Sequence, residues 1–407
     1  MQSSSIDDRP LNDHYKSDIR YTFQFCYWIL KPIGIYSFIY KDANKFGKIV
    51  SVILILICCS VLQFVMVPFS YILFNEEELK AKIKYLGPVA FCFTSLFKYG
   101  YLGMKGSKLN RCIQHVQRDW KKLQNKDHRD IMVQYVIMSR KLIMLCAVLL
   151  YTGGLSYHVI MPLLSKEIDT NLTIRPLSYP SYETPLDIQQ SPIYKVVYCM
   201  QCIYVLIIGN ITMAAFSLTA IFITHASGQI KIQTSRLENL KMKGKMLETG
   251  FENCLAIIVK DHTEILRFTK NVEKTLRELF FVEVIVSTLL ICLLQYYCMM
   301  EWQISDSVAI STYIILLSSF IFNIFIFCYV GELLLGQGSE IATASYEVEW
   351  YNLPGRKARD IVMLLAISKY PPKLTAGRVL VLSMNAFVAI LKASLVYLNL
   401  LRTVTEL

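Results

Sequence analysis

The sequence predicts an all-α membrane protein with seven transmembrane helices, and three observations carry that expectation. Apolar residues make up 54% of the 407 residues and charged ones only 18%, with a mean hydropathy of +0.41. A soluble chain carries roughly 25% charged residues, so this one cannot clothe a fully water-facing surface and part of it must face lipid. Charge-free runs of bilayer length recur from end to end, and lysines and arginines gather in alternate connections between them. Soluble enzymes, secreted disulfide scaffolds and disordered chains are all disfavoured. The net charge of +11 would suit nucleic acid as well as a membrane surface, and its distribution assigns it to the membrane, with no nucleic-acid partner.

Residues 1–48 are charged throughout and contain no apolar core of the signal-peptide kind, so they are expected to form a cytoplasmic N-terminal segment. A membrane helix needs about 20 apolar residues. The first span, 49–74, offers 26 residues without a charge. The second, 85–104, spans if Lys98 is tolerated; that lysine lies near the inner end and is expected to snorkel to the cytoplasm. The third, 142–164, has 23 charge-free residues, and the fourth, 193–224, overlaps a charge-free run of 35. The fifth, 279–300, combines 17 charge-free residues with the preceding turn, and the sixth, 307–336, opens with 25. The seventh is the run Val379–Leu401, interrupted by Lys392, which is expected to face water or other protein rather than lipid, as in a pore or a packed interior; only a cation-conducting lumen would turn it to a neighbouring helix. Ser383, Asn385, Ser394, Asn399 and Thr403 make this span polar, as befits either a pore-lining helix or a deeply packed one.

The connections fix the expected orientation. The first 47 residues together with 105–141, 225–278 and 337–360 carry 29 lysines and arginines, whereas the connections of the other side and the C-terminal tail carry 6. Basic residues mark the cytoplasmic side, which puts the N-terminus in the cytoplasm and the C-terminus outside. That is the reverse of a G-protein-coupled receptor. The outer loop 165–192 contains Pro176, Pro180, Pro185 and Pro192, and its Asn171-Leu172-Thr173 is a glycosylation sequon. In 225–278, Leu255, Ile258, His262, Ile265, Thr269, Val272, Leu276 and Leu279 recur at helical spacing. Such a stripe must be buried, either within the chain or against another subunit.

No catalytic constellation is present: HExxH, GxSxG, Walker and GxGxxG patterns are all absent, and Gly336-Gln337-Gly338 continues wrongly for a dinucleotide loop. The chain is therefore not expected to be an enzyme or to carry a cofactor or metal. None of the 12 cysteines falls in an outer loop, and Cys199-x-x-Cys202 reads as small buried apolar residues. Aromatics are 12% of the chain, and many occupy the outer halves of spans: Phe91, Phe93, Tyr151, Tyr157, His158, Tyr204 and Tyr313. With Gly153-Gly154 leaving room, they suit a cavity for a small apolar guest, or ordinary packing plus the interfacial aromatic belt.

At the C-terminus, Ser345-Tyr346, Trp350-Tyr351, Leu353-Pro354, Pro371-Pro372, Thr375-Ala376-Gly377, Phe387, Tyr397 and Leu401-Arg402 resemble the signature of insect odorant receptors. Asp261-His262 through Phe268 to Leu279 resembles that family's helix before the fifth span. The resemblance implies a subunit of a non-selective cation channel, multi-pass in the plasma membrane of a sensory dendrite, opened by a small volatile odorant. It further implies a heteromeric tetramer with a common co-receptor. An anchor region at 225–278 and 337–374 would hold the subunits together. The last helix would break near Pro371-Pro372 to Gly377 into a cytoplasmic part and a pore-lining part, 375–402, with Leu400, Thr403 and Val404 at the outer gate. The ligand pocket would lie between the second, third, fourth and sixth helices, with Phe91, Tyr151, Gly154, His158, Ile208 and Tyr313 as its residues. Val396-Tyr397 and Leu401-Arg402 depart from the gustatory pattern, and the second cytoplasmic loop lacks the co-receptor's length. The chain thus resembles a tuning subunit; the alternatives are a gustatory-type channel, a metabotropic seven-helix receptor and a secondary transporter.

Overall fold

The helices outrun the membrane. In the computed structural model, which describes residues 12–40, 44–164, 177, 179, 192–243, 248–304, 307–348, 350–352 and 355–406, the order is α1 (Tyr15–Leu30), α2 (Tyr36–Ile39), α3 (Lys45–Asn75), α4 (Leu79–Met104), α5 (Gly106–Lys122) and α6 (Lys126–Leu155). A π-turn, Ser156–Ile160, then leads into α7 (Met161–Leu164), α8 (Ile193–Lys243), α9 (Glu248–Ile304) and α10 (Ser307–Tyr346). After a short 3-10 turn come α11 (Gly355–Ser368), the strands β1 (Thr375–Ala376) and β2 (Leu380–Val381), and α12 (Met384–Glu406). At 1.5 Å per residue the 57 residues of α9 reach about 85 Å, against a hydrocarbon core of about 30 Å. The surplus of α8, α9 and α10 continues as a helical bundle beyond the spans.

Among the described residues, six helices are long and apolar enough to cross a membrane: α3, α6, α8, α9, α10 and α12. The seventh, α4, carries Lys80, Lys82, Lys84 and Lys98 and packs against α9, α3 and α8. Helix α8 is the axis, with 89% of its apolar window buried; α12, at 17%, is peripheral. Every residue of the stripe from Leu255 to Leu279 is buried within the chain, so intramolecular packing accounts for it. His262 Nδ1 lies 3.2 Å from Gln233 Oε1 on α8. The charged N-terminal segment includes α1, held to α6 by Arg129 and Asp18 at 2.8 Å.

Of the two lysines within spans, one departs from expectation. Lys98 does not snorkel. It is 2% exposed and pairs at 2.5 Å with Glu283 of α9, itself 4% exposed. A partner carboxylate at the same depth satisfies the ammonium without stretching it to water. The sequence placed Glu283 only at the edge of a charge-free run, so the pairing could not be read from spacing. Lys392 is exposed among the described residues.

The break before the last helix is a hairpin, and α12 starts at Met384 rather than at 375. Strands β1 and β2 pair Thr375 with Val381 and Ala376 with Leu380. Three residues, 377–379, join the paired Ala376 and Leu380. Gly377 and Arg378 take φ of 62° and 65°, and the Val379 N–H donates back to the Ala376 carbonyl at 3.0 Å, closing a turn that needs two left-handed residues. Pro371 and Pro372 lack the N–H that a continuing helix would need. Glu332 Oε2 accepts from the Met384 N–H at 3.0 Å and Ser383 Oγ from that of Ala386 at 3.3 Å, so two otherwise orphaned donors at the start of α12 are satisfied.

Candidate functional site

At the end of the bundle nearest the 165–192 connection, α4, α6 with its π-turn, α8, α9 and α10 enclose a cavity with an accessible volume of about 90 Å³. Local sequence explains its walls. The π-turn inserts an extra residue per turn in the third span, a distortion that often marks functional positions. His158 lies in it, 7% exposed. Gly209 makes room for a ring, since a Cβ there would come within 2.8 Å of Tyr151. A Cβ on Gly153 would meet Ser319 Oγ at 2.9 Å, so α6 and α10 approach closely beside the cavity.

The rings pack closely: Phe91 meets Phe320 edge to face at 5.5 Å, and Tyr313 lies tilted 5.5 Å from Tyr297. Tyr179 closes the cavity from the connection. Its hydroxyl lies 3.1 Å from His158 Nε2, and its carbonyl accepts from Gln201 Nε2 at 2.9 Å. Tyr151 donates to Asn210 Oδ1 at 3.1 Å and Tyr297 to the Ile83 carbonyl at 2.6 Å. The Tyr157 and Tyr313 hydroxyls form no hydrogen bond among the described residues. At the floor, Asn323 donates to Glu283 Oε1 at 2.9 Å, so the buried Lys98–Glu283 pair lies one residue below the cavity wall. The arrangement can hold a compact apolar molecule and donate to an acceptor on it.

Phe91, Tyr151, Gly154, His158, Ile208 and Tyr313 all line this one cavity. Phe93, two positions from Phe91, is 50% exposed and faces outward, while Tyr204 is buried against the Cys92 thiol without lining the cavity. The sequence missed the contribution of α9, namely Leu290, Leu293, Leu294 and Tyr297, and the polar floor of Ser319 and Asn323. In the sequence the α9 residues read as plain core, and nothing but tertiary rotation distinguishes them. Leu400, Thr403 and Val404 lie on the exposed face of α12, away from the cavity. Asn171 lies outside the described residues. Among the described residues no group of three or more His, Cys, Asp or Glu could hold a metal ion.

A family model described as 7tm odorant receptor matches residues 78–395. The chain is similar to odorant receptor 13a of Drosophila melanogaster, 26% identical over 236 residues covering 54% of this chain and 56% of that protein. It is similar also to odorant receptor 10 of Aedes albopictus, 24% identical over 243 residues covering 57% and 61%. The chain thus spans little more than half the length of these curated relatives. The olfactory receptor OR5 of Machilis hrabei in complex with eugenol superposes with a TM-score of 0.81, covering 96% of this chain and 100% of that one. A second structure of that receptor gives 0.77. At 15% identity the likeness is one of fold.

Proposed function

The chain belongs to the insect odorant receptor family, and on that premise we propose that it is the odorant-binding, tuning subunit of a ligand-gated non-selective cation channel. The observation that carries the proposal is the convergence of six aromatic, glycine and aliphatic positions from four spans on one cavity. The ligand is a small volatile, largely apolar molecule with a hydrogen-bond acceptor for Tyr157 or Tyr313. Eugenol, which the Machilis receptor holds, is a suitable first probe. Such ligands gain about 0.3 kcal/mol per heavy atom, so affinities are micromolar or weaker and selectivity is loose.

Opening is a population shift: a guest that binds one arrangement of α9 and α10 better than another favours it. Asn323 and Glu283 lie between the cavity and a small crevice lined by Glu283, Phe327 and Leu382, two residues before α12. A shift of α10 against α9 would reach the last helix by that route. Helix α12 is covered little by its own chain, and its Leu400, Thr403 and Val404 would line the pore once a co-receptor and further subunits complete a tetramer. The proposed topology keeps the N-terminus cytoplasmic and the C-terminus outside, in the plasma membrane of a sensory dendrite.

Current recording tests the channel against a metabotropic receptor. Co-expressed with the co-receptor in cells lacking G-protein signalling, the chain should carry odorant-evoked cation current. Absence of current across a broad panel, with intact surface expression, refutes the channel. Tyr151→Ala should shift the dose–response by about tenfold with surface expression retained. A C-terminal tag should stain intact cells.

A further inference from the structure

At the other end of the molecule, α5 and the Glu264–Thr275 stretch of α9 enclose a hollow with an accessible volume of about 400 Å³, against about 90 Å³ for the aromatic cavity. Its chemistry is inverted. Lys108, Arg111, Arg118 and Lys122 of α5 and Arg267 and Lys274 of α9 line it, facing only two carboxylates, Asp119 and Glu264. The four cations of α5 recur at helical spacing on the face opposite Leu109, Ile113, Val116 and Trp120, which are buried. The groove is therefore a built consequence of how α5 docks, with its basic face turned along α9.

Charge is uncompensated there. Lys108, Arg111, Lys122, Arg267 and Lys274 make no ion pair among the described residues. Asp119 is committed elsewhere, to His225 Nε2 at 2.9 Å and His115 Nδ1 at 3.1 Å. Burial alone would raise its carboxyl, but hydrogen bonds from both imidazoles outweigh that and hold it well below the usual carboxylate range. The Lys108 ammonium is depressed, first by Lys105, with Lys274 and Arg111 adding to it. Crowded like charges of this kind oppose folding unless a counter-charge joins them. The groove is also bounded by two helices, which suits a compact polyanion rather than an extended strand. Its Lys108–Lys274 end adjoins the spans: Tyr101 of α4 donates to the Thr275 carbonyl at 2.6 Å and to Glu278 Oε2 at 2.7 Å.

We propose that this groove binds a polyphosphorylated inositol-type anion, with its phosphomonoesters held by Arg111, Arg267, Lys108 and Lys274. Guanidinium groups clamp phosphate oxygens in pairs and lysines add point charge. The headgroup is lipid-borne or free; the recognised chemistry, several phosphomonoesters on one small ring, is the same. The site requires neither the odorant cavity nor a pore, so its failure and that of the channel reading are distinguishable.

The full chain is reconstituted in phosphatidylcholine nanodiscs, alone or with a minor fraction of phosphatidylinositol bisphosphate, and binding is read by thermal shift and by a fluorescent short-chain analogue of that lipid. Soluble inositol trisphosphate is titrated in a parallel arm. Arg111→Gln with Lys274→Gln should weaken binding about tenfold or more, whereas Lys260→Gln, an exposed cation of α9 outside the groove, should leave it unchanged. Arg111→Lys with Lys274→Arg keeps the charge and should retain binding, which guards against misfolding of the first pair. Binding by the lipid alone assigns the site to a membrane headgroup, and equal binding by the soluble anion assigns it to a free polyphosphate; both uphold the site. Equal binding by parent and double variant, equal binding to phosphatidylserine at matched charge, or no binding of either probe overturns it.

Discussion

Gly209 shows how much of the cavity depends on single atoms. With no side chain, it lets the Tyr151 ring lie against α8 while its hydroxyl reaches Asn210. Gly209→Ala would push that ring into the cavity. Overpacking costs about 1–3 kcal/mol, so responses to bulky odorants should fall about tenfold or more while the smallest ligands lose little; a dose–response series of graded ligand size measures this. At this scale the site was half legible. Aromatics in the outer halves of spans, beside Gly153-Gly154, signalled Phe91, Tyr151 and Tyr313. Phe91 and Phe93, two apart on one helix, cannot face the same side, but nothing in the sequence signalled which of them faces inward, or that Tyr297 and Asn323 do, because the packing of α4, α9 and α10 sets those rotations.

Among the elements, the β1–β2 hairpin is the sharpest constraint. Gly377 has φ 62°, and a Cβ there would meet the Phe281 ring of α9 at 2.7 Å. Gly377→Ala should lower the stability of the purified chain by about 1–2 kcal/mol or more from the left-handed backbone alone. Arg378→Gly, relieving a residue at φ 65°, should raise or preserve it; thermal unfolding in detergent measures both. The α8–α9 extension carries a pH response. Burial lowers the His262 imidazole below its ordinary value, so the folded state holds it neutral. Its contribution is full above the unfolded pKa of about 6.5 and declines as pH falls below that. Once the slower intrinsic exchange at low pH is divided out, amide protection factors in the 255–276 stretch should fall on acidification, and His262→Asn should blunt that fall. The break near Pro371-Pro372 was legible because proline cannot continue a helix. Two-residue strands leave no periodicity to read, so the hairpin was not.

For the whole molecule, seven apolar runs and the sorting of basic residues made the span count legible, whereas contacts between distant spans were not. The Lys98–Glu283 pair is the clearest case. Glu283→Gln leaves a buried ammonium alone and should cost about 3–5 kcal/mol, while the apolar pair Lys98→Met with Glu283→Leu should be near neutral; surface yield and thermal unfolding distinguish the two. The pair also bears on biosynthesis. The ribosome delivers α4, with its lysine, well before it makes the carboxylate that neutralises it. Until α9 emerges, α4 is a poor guest of the lipid and has reason to linger at the translocon or in water. Integration of this receptor is therefore expected to finish late and cooperatively, and a chain truncated before Glu283 should leave α4 loosely inserted and open to protease.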